Sequence, residues 1–151
     1  FGSQAILGRY PQAPKSLCAS IEVDMQPKNK PEAIDAIDGA LGELSLFHQA
    51  HGFYVHGVSI DTALLPRGWQ ERVIPVADPV FTRGNTGWCI EPHDLAASKL
   101  AAYREKDRDF ARVLLAEGLV QGPVLIERLN LLTIPPDILK RLVRWVEATA
   151  S

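Results

Sequence analysis

Ser20-Ile21-Glu22-Val23-Asp24-Met25-Gln26 alternates apolar and polar residues without a break. Successive side chains of an extended backbone point to opposite faces. The period of two therefore predicts a strand with Ile21, Val23 and Met25 toward the core and Glu22 and Asp24 together on the other side. Pro27 and Lys28-Asn29-Lys30 end it, and Pro31 opens a predicted helix over residues 31–41, where proline lacks only an N–H that the first turn does not use. Aromatic and β-branched residues predict further strands over 53–59 and 72–76 and a short last one over 88–90, after the loop Thr82-Arg83-Gly84-Asn85-Thr86-Gly87.

From Glu91 the apolar spacing changes to three and four. Pro92 opens a helix carrying Leu95, Leu100 and Tyr103. After the charged break at Arg104 to Asp107, Phe110, Val113 and Leu114 continue into a helix that Gly118 closes. Two more helices are predicted over 123–132 and 136–148, each with a proline at its start. The fold class expected is α/β, in the α+β sense: a small mixed sheet over residues 1–91 with a helical part over 92–151 packed on it as one compact unit.

Upstream, Phe1-Gly2-Ser3 precedes the helix-like Gln4-Ala5-Ile6-Leu7. Glycine at a sharp strand-to-helix turn avoids a Cβ clash, so Phe1 reads as the end of a strand whose remainder lies outside this sequence, a Gly-Ser linker scar being the alternative.

The 151 residues are 46% apolar and 23% charged with a net charge of −2, which excludes disordered and collagen-like chains and the strongly basic surface of a general nucleic-acid binder. No apolar run reaches the 18 or so residues of a membrane span, so no membrane partner is expected. Cys18 and Cys89 stand far apart with no CxxC or Cys/His cluster, which argues against a zinc module and a disulfide scaffold. They read as buried structural thiols in a reduced, cytoplasmic setting. Gly-x-Ser-x-Gly, Walker-type and GxGxxG patterns are absent.

Three places can carry chemistry. Glu22 and Asp24 put two like charges at one spot, an arrangement relieved by a hard divalent cation, Mg²⁺ (or Mn²⁺), between them; the alternative is a solvated strand face with two acids on it. Gly2 and Ser3, at the mouth of a helix, can offer backbone N–H groups and a hydroxyl to phosphate. Lys99 and Arg104, with Lys106 and Asp107, gather charge around a helix break, where Lys99 can reach a triphosphate or form ordinary ion pairs, and where Asp107 reads as an N-cap before Phe110. Of His48, His51, His56 and His93, only His48 and His51 are close in sequence and neither sits near a carboxylate motif, so the four read as surface or core residues, with His93 an anchor for the helix that Pro92 opens.

Taken together, Gly2-Ser3, Glu22-Val23-Asp24 and the stretch from Glu91-Pro-His-Asp-Leu-Ala-Ala-Ser-Lys99 through Arg104-Glu-Lys-Asp107 resemble the nucleotidyltransferase superfamily, of the polymerase beta palm type, and in particular the AbiEii-like nucleotidyltransferase toxins and their uncharacterised relatives. The resemblance spans about residues 1 to 115. It implies catalytic Glu22, Asp24 and Lys99, a metal pair of Glu22 and Asp24, and nucleotide binding by Gly2, Ser3, Lys99, Arg104 and Asp107. It also implies a nucleoside triphosphate as substrate, transfer RNA or a protein as acceptor, and an antitoxin partner. The chain departs from the pattern in carrying Glu22 where the family has Asp, Phe110 where the toxins often have a further Asp, and Glu71 as the only candidate for a third carboxylate.

The activity expected is Mg²⁺-dependent transfer of a nucleoside monophosphate from a nucleoside triphosphate. The rival is a non-catalytic nucleotide-binding or regulatory, antitoxin-like module on the same fold. A blander option is an interaction domain using Leu139, Leu142, Val143 and Trp145 of the last helix.

Overall fold

In the computed structural model, which describes residues 1–150, the alternating segment forms β1 (Glu22–Met25) and the aromatic-rich segment forms β2 (Tyr54–Gly57). They pair in parallel, Glu22 opposite Tyr54, Val23 opposite Val55, Asp24 opposite His56 and Met25 opposite Gly57. Parallel strands cannot be joined by a tight turn. The crossover here is a 3₁₀ turn at Pro31–Ala33, α1 (Ile34–Leu41) and α2 (Leu46–His51). α1 lies against β2, and Gly57 permits it: a Cβ there would land on the carbonyl oxygen of Ile34 and sit 3.1 Å from the Asp38 nitrogen.

α2 was not foreseen. It is short, but its ends carry ordinary signals, with the Ser45 hydroxyl accepting from His48 N–H and Gly52 in the left-handed region just past its end.

The α+β class expected from the sequence is the class observed: 53% of the residues are helical and 9% are in strands. The four strands form two sheets of two, β1 with β2 and, antiparallel, β3 (Ile74–Val76) with β4 (Gly87–Cys89). The chain divides into two compact units, one of Phe1–Gln4 with Ala13–Ala63 and one of Ala5–Gln12 with the chain from Leu64 on, so the boundary expected at 91/92 falls inside the second.

Within the first unit, Leu17 and Val55 are buried, and the Gln4 side-chain amide donates to the carbonyls of Cys18 and Ser20. One expectation for β1 needs correction. Val23 is half-buried, but Ile21 and Met25 are 52% and 42% exposed, because α1 covers β2 and leaves the two ends of β1 bare.

The second unit is built around α3 (Pro92–Ala102), which packs on α4 (Glu105–Ala116) and α5 (Gly122–Asn130), while α6 (Pro136–Thr149) packs on α5. Leu95, Ala96, Ala97 and Leu100 of α3 are buried, on a helix that packs against both α4 and α5. Leu142 and Val146 of α6 are fully buried, whereas Leu139, Val143 and Trp145 of the apolar stripe are half-buried. Among the described residues no helix is long and apolar enough to cross a membrane.

Candidate metal centre

β1 presents Glu22 and Asp24 on one face, and the parallel register sets His56 opposite Asp24 on the adjoining strand, with its side chain on that same face. His56 Nδ1 lies 3.1 Å from Glu22 Oε1 and 3.2 Å from Asp24 Oδ1. One ligand atom from each of the three side chains falls within 4.8 Å of the others. The side chains are 38%, 26% and 43% exposed for Glu22, Asp24 and His56, so all three are partly open to solvent.

The glycine turn lies against this group. A Cβ on Gly2 would land on Asp24 Oδ2 and come within 3.0 Å of Asp24 Cγ, so only glycine leaves the carboxylate where it is. The Phe1 nitrogen donates to the Asp24 carbonyl at 2.9 Å. Ile21 and Met25, of the other parity, accept from Tyr54 and Val58 on the β2 side, so Phe1 runs along the opposite edge of β1. The segment after Gly2 is a six-residue 3₁₀ turn, Ser3–Gly8, not an α-helix. Its dipole is correspondingly small, and what it can offer an anion is local backbone N–H and the Ser3 hydroxyl.

The local field is negative. Partial burial raises the Tyr54 phenol above its ordinary value, and the charges of Glu22, Glu43, Asp24 and Asp38 raise it further.

His56 is the residue the sequence reading passed over. A signal for it was present: in Tyr54-Val55-His56-Gly57 the buried residue is Val55, so His56 shares its parity with Tyr54 on the outward face. The other histidines do take the surface or anchoring roles expected. His48 Nδ1 accepts from Leu44 N–H, His51 packs on the rings of Phe47 and Phe53, and His93 Nδ1 lies 2.6 Å from Glu91 Oε1 while its Nε2 accepts from Gln121 N–H.

The remaining candidates belong to the second unit. Lys99 Nζ lies 3.6 Å from Asp107 Oδ1, and Arg104 Nε lies 2.6 Å from Asp107 Oδ2, so the three form one ion cluster around a carboxylate that is 1% exposed. Asp107 is not the N-cap expected. Arg104 occupies that position, and Asp107 sits in the first turn of α4, where its carboxylate is drawn inward by the two cations. Glu71 is exposed at the end of the 3₁₀ turn Trp69–Glu71.

Cys18 and Cys89 are free thiols, half-buried where full burial was expected. Burial raises the Cys89 thiol, consistent with an inert side chain packed beside Gly8.

Sequence patterning gave no hint of the ion pairs that hold α3. Asp94, with no exposure, accepts from Arg72 at 2.8 and 3.0 Å and lies 3.3 Å from Arg128 Nε. The Glu91 side chain caps the helix by accepting from the N–H groups of His93 and Asp94.

Comparison with known proteins returned no match to a family model, to a curated protein or to a solved structure.

Proposed function

We propose that the chain is a divalent-metal-dependent nucleotidyltransferase that moves a nucleoside monophosphate from a nucleoside triphosphate to an acceptor hydroxyl. The observation that carries this reading is the convergence of Glu22 and Asp24 on one face of β1 with Gly2 packed directly on Asp24. Glu22 and Asp24 would hold the ion, and their donor set of carboxylate oxygens fits a hard dication. A dication bound there would neutralise phosphate charge and align the attacking and leaving oxygens of an in-line displacement. Gly2 lets the backbone of the turn pass directly against the Asp24 carboxylate, and Ser3 adds a hydroxyl donor for a polyphosphate held there.

The resemblance assigns Lys99 and Arg104 to charge on the departing pyrophosphate. Both are gathered on Asp107, which fixes their heads at the start of α4. Transfer RNA or a protein side chain as acceptor, and an antitoxin as partner, follow from the resemblance alone.

The test is transfer of label from each α-labelled nucleoside triphosphate, with Mg²⁺ or Mn²⁺, to total RNA or to proteins of a cell extract. The proposal expects transfer that Asp24→Ala abolishes. Absence of transfer with every triphosphate and both ions would contradict it.

A further inference from the structure

We infer that His56 is the third protein ligand of the metal centre, and that the centre therefore prefers a first-row transition-metal dication to Mg²⁺. This rests on the reading of Glu22 and Asp24 as metal ligands and adds to it a nitrogen donor and a choice of ion.

Strand pairing brings the three side chains together. Asp24 and His56 are register partners in a parallel ladder, and Glu22 is two residues from Asp24, so backbone hydrogen bonding sets all three side chains on one face. No loop has to fold over to bring them together.

The spacing of the donor atoms comes next. One Nδ1 carries at most one proton and can direct it well at only one acceptor, yet His56 Nδ1 is almost equidistant from two carboxylate oxygens, at 3.1 and 3.2 Å. Those separations suit ligands of a shared ion. Bonds of about 2.0–2.2 Å place neighbouring ligand atoms roughly 3.0 Å apart at a right angle and roughly 3.4 Å apart at a tetrahedral angle.

Donor chemistry then decides the ion. Mg²⁺ takes oxygen ligands and gives up water reluctantly, whereas imidazole nitrogen binds first-row transition metals, with affinity rising from Mn²⁺ through Co²⁺. Two carboxylates and one imidazole leave several coordination positions open, and the partial exposure of all three side chains leaves those positions accessible to water or to phosphate oxygens.

The experiment uses the full chain with the metal alone. Mn²⁺, Co²⁺ and Mg²⁺ are titrated calorimetrically into the unaltered protein, His56→Gln, His56→Asn and Asp24→Asn, each checked for folding by circular dichroism, and the Mn²⁺ complexes are examined by electron spin-echo envelope modulation. The expected result is ¹⁴N modulation from a coordinated imidazole in the unaltered protein and none in either His56 variant. Those variants should bind Mn²⁺ and Co²⁺ at least about tenfold more weakly while Mg²⁺ affinity changes little. If Asp24→Asn abolishes Mn²⁺ binding but the His56 variants bind as the unaltered protein does, without ¹⁴N modulation, the inference about His56 fails and the acid-pair reading stands. If neither position affects binding, or no ion binds at millimolar concentration, both fail.

Discussion

Gly2 and Asp24 are packed so closely that a single added methyl group on Gly2 would clash with Asp24 Oδ2. This contact links a turn at one end of the described chain to a strand that begins some twenty residues later, and it determines where one of the two acids points. A structural glycine and a candidate ligand thus depend on each other.

Gly2→Ala should act first on the site. The methyl group must displace the Asp24 carboxylate or loosen the Phe1 to Asp24 hydrogen bond, a strain of about 1–3 kcal/mol. Divalent-ion affinity should fall at least about tenfold, alongside a modest loss in urea stability. Unchanged ion affinity in a folded Gly2→Ala protein would mean that the turn does not support the acid pair.

Asp24→Asn should separate function from stability. It relieves the like-charge repulsion with Glu22 but takes a charged partner from His56, so stability should move by no more than about 1 kcal/mol. Transferase activity should drop on the order of a hundredfold or more. Thermal melts and label-transfer rates on the same preparation check both halves.

The second unit offers a stability test unrelated to the site. Asp94 is fully buried between Arg72 and Arg128, so Arg72→Met leaves a charge with only its weaker partner. The expected cost is about 3 kcal/mol, and replacing the whole ion cluster, with Asp94→Leu and Arg128→Met added in the same protein, should restore much of it. Equilibrium urea denaturation of the single and triple variants measures this.

Acid sensitivity should trace to the cap of α3. Burial works to raise the Glu91 carboxyl, but its hydrogen bond to His93, the His93 charge and the N–H groups of Asp94 and His93 outweigh it, and the group is held below its ordinary value of 4.5. A carboxyl whose folded pKa is depressed favours the folded state above the unfolded pKa and loses that contribution as pH falls through the folded value. Glu91→Gln should therefore be less stable than the unaltered protein at pH 7, by about 1 kcal/mol, and the gap should close below the ordinary carboxylate range. Asp94, whose carboxyl burial pushes up against the pull of Arg72, works in the opposite sense, and because the Glu91 charge adds to that rise, Glu91→Gln also eases the Asp94 contribution and narrows the gap slightly.

What could be read from the chain beforehand follows from how local each feature is. The alternation at residues 20–26, the prolines at 92, 123 and 136, and the three-and-four spacing of the later helices are properties of neighbouring residues, and each produced the element expected. The pairing of His56 with Asp24 spans 32 residues and depends on a parallel register that no short window contains. The same holds for Arg72 and Arg128 on Asp94, where charged residues that look solvated one by one are drawn inward together. Exposure of Ile21 and Met25 likewise depended on which strand α1 would cover.

The most direct test of the account is anomalous difference density at the manganese edge from crystals of the protein soaked in MnCl₂. The expected result is one peak about 2.0–2.3 Å from Glu22, Asp24 and the Nδ1 of His56. Density showing His56 hydrogen-bonded to a carboxylate, with no anomalous peak on this face of β1 and β2 at saturating Mn²⁺, would contradict it.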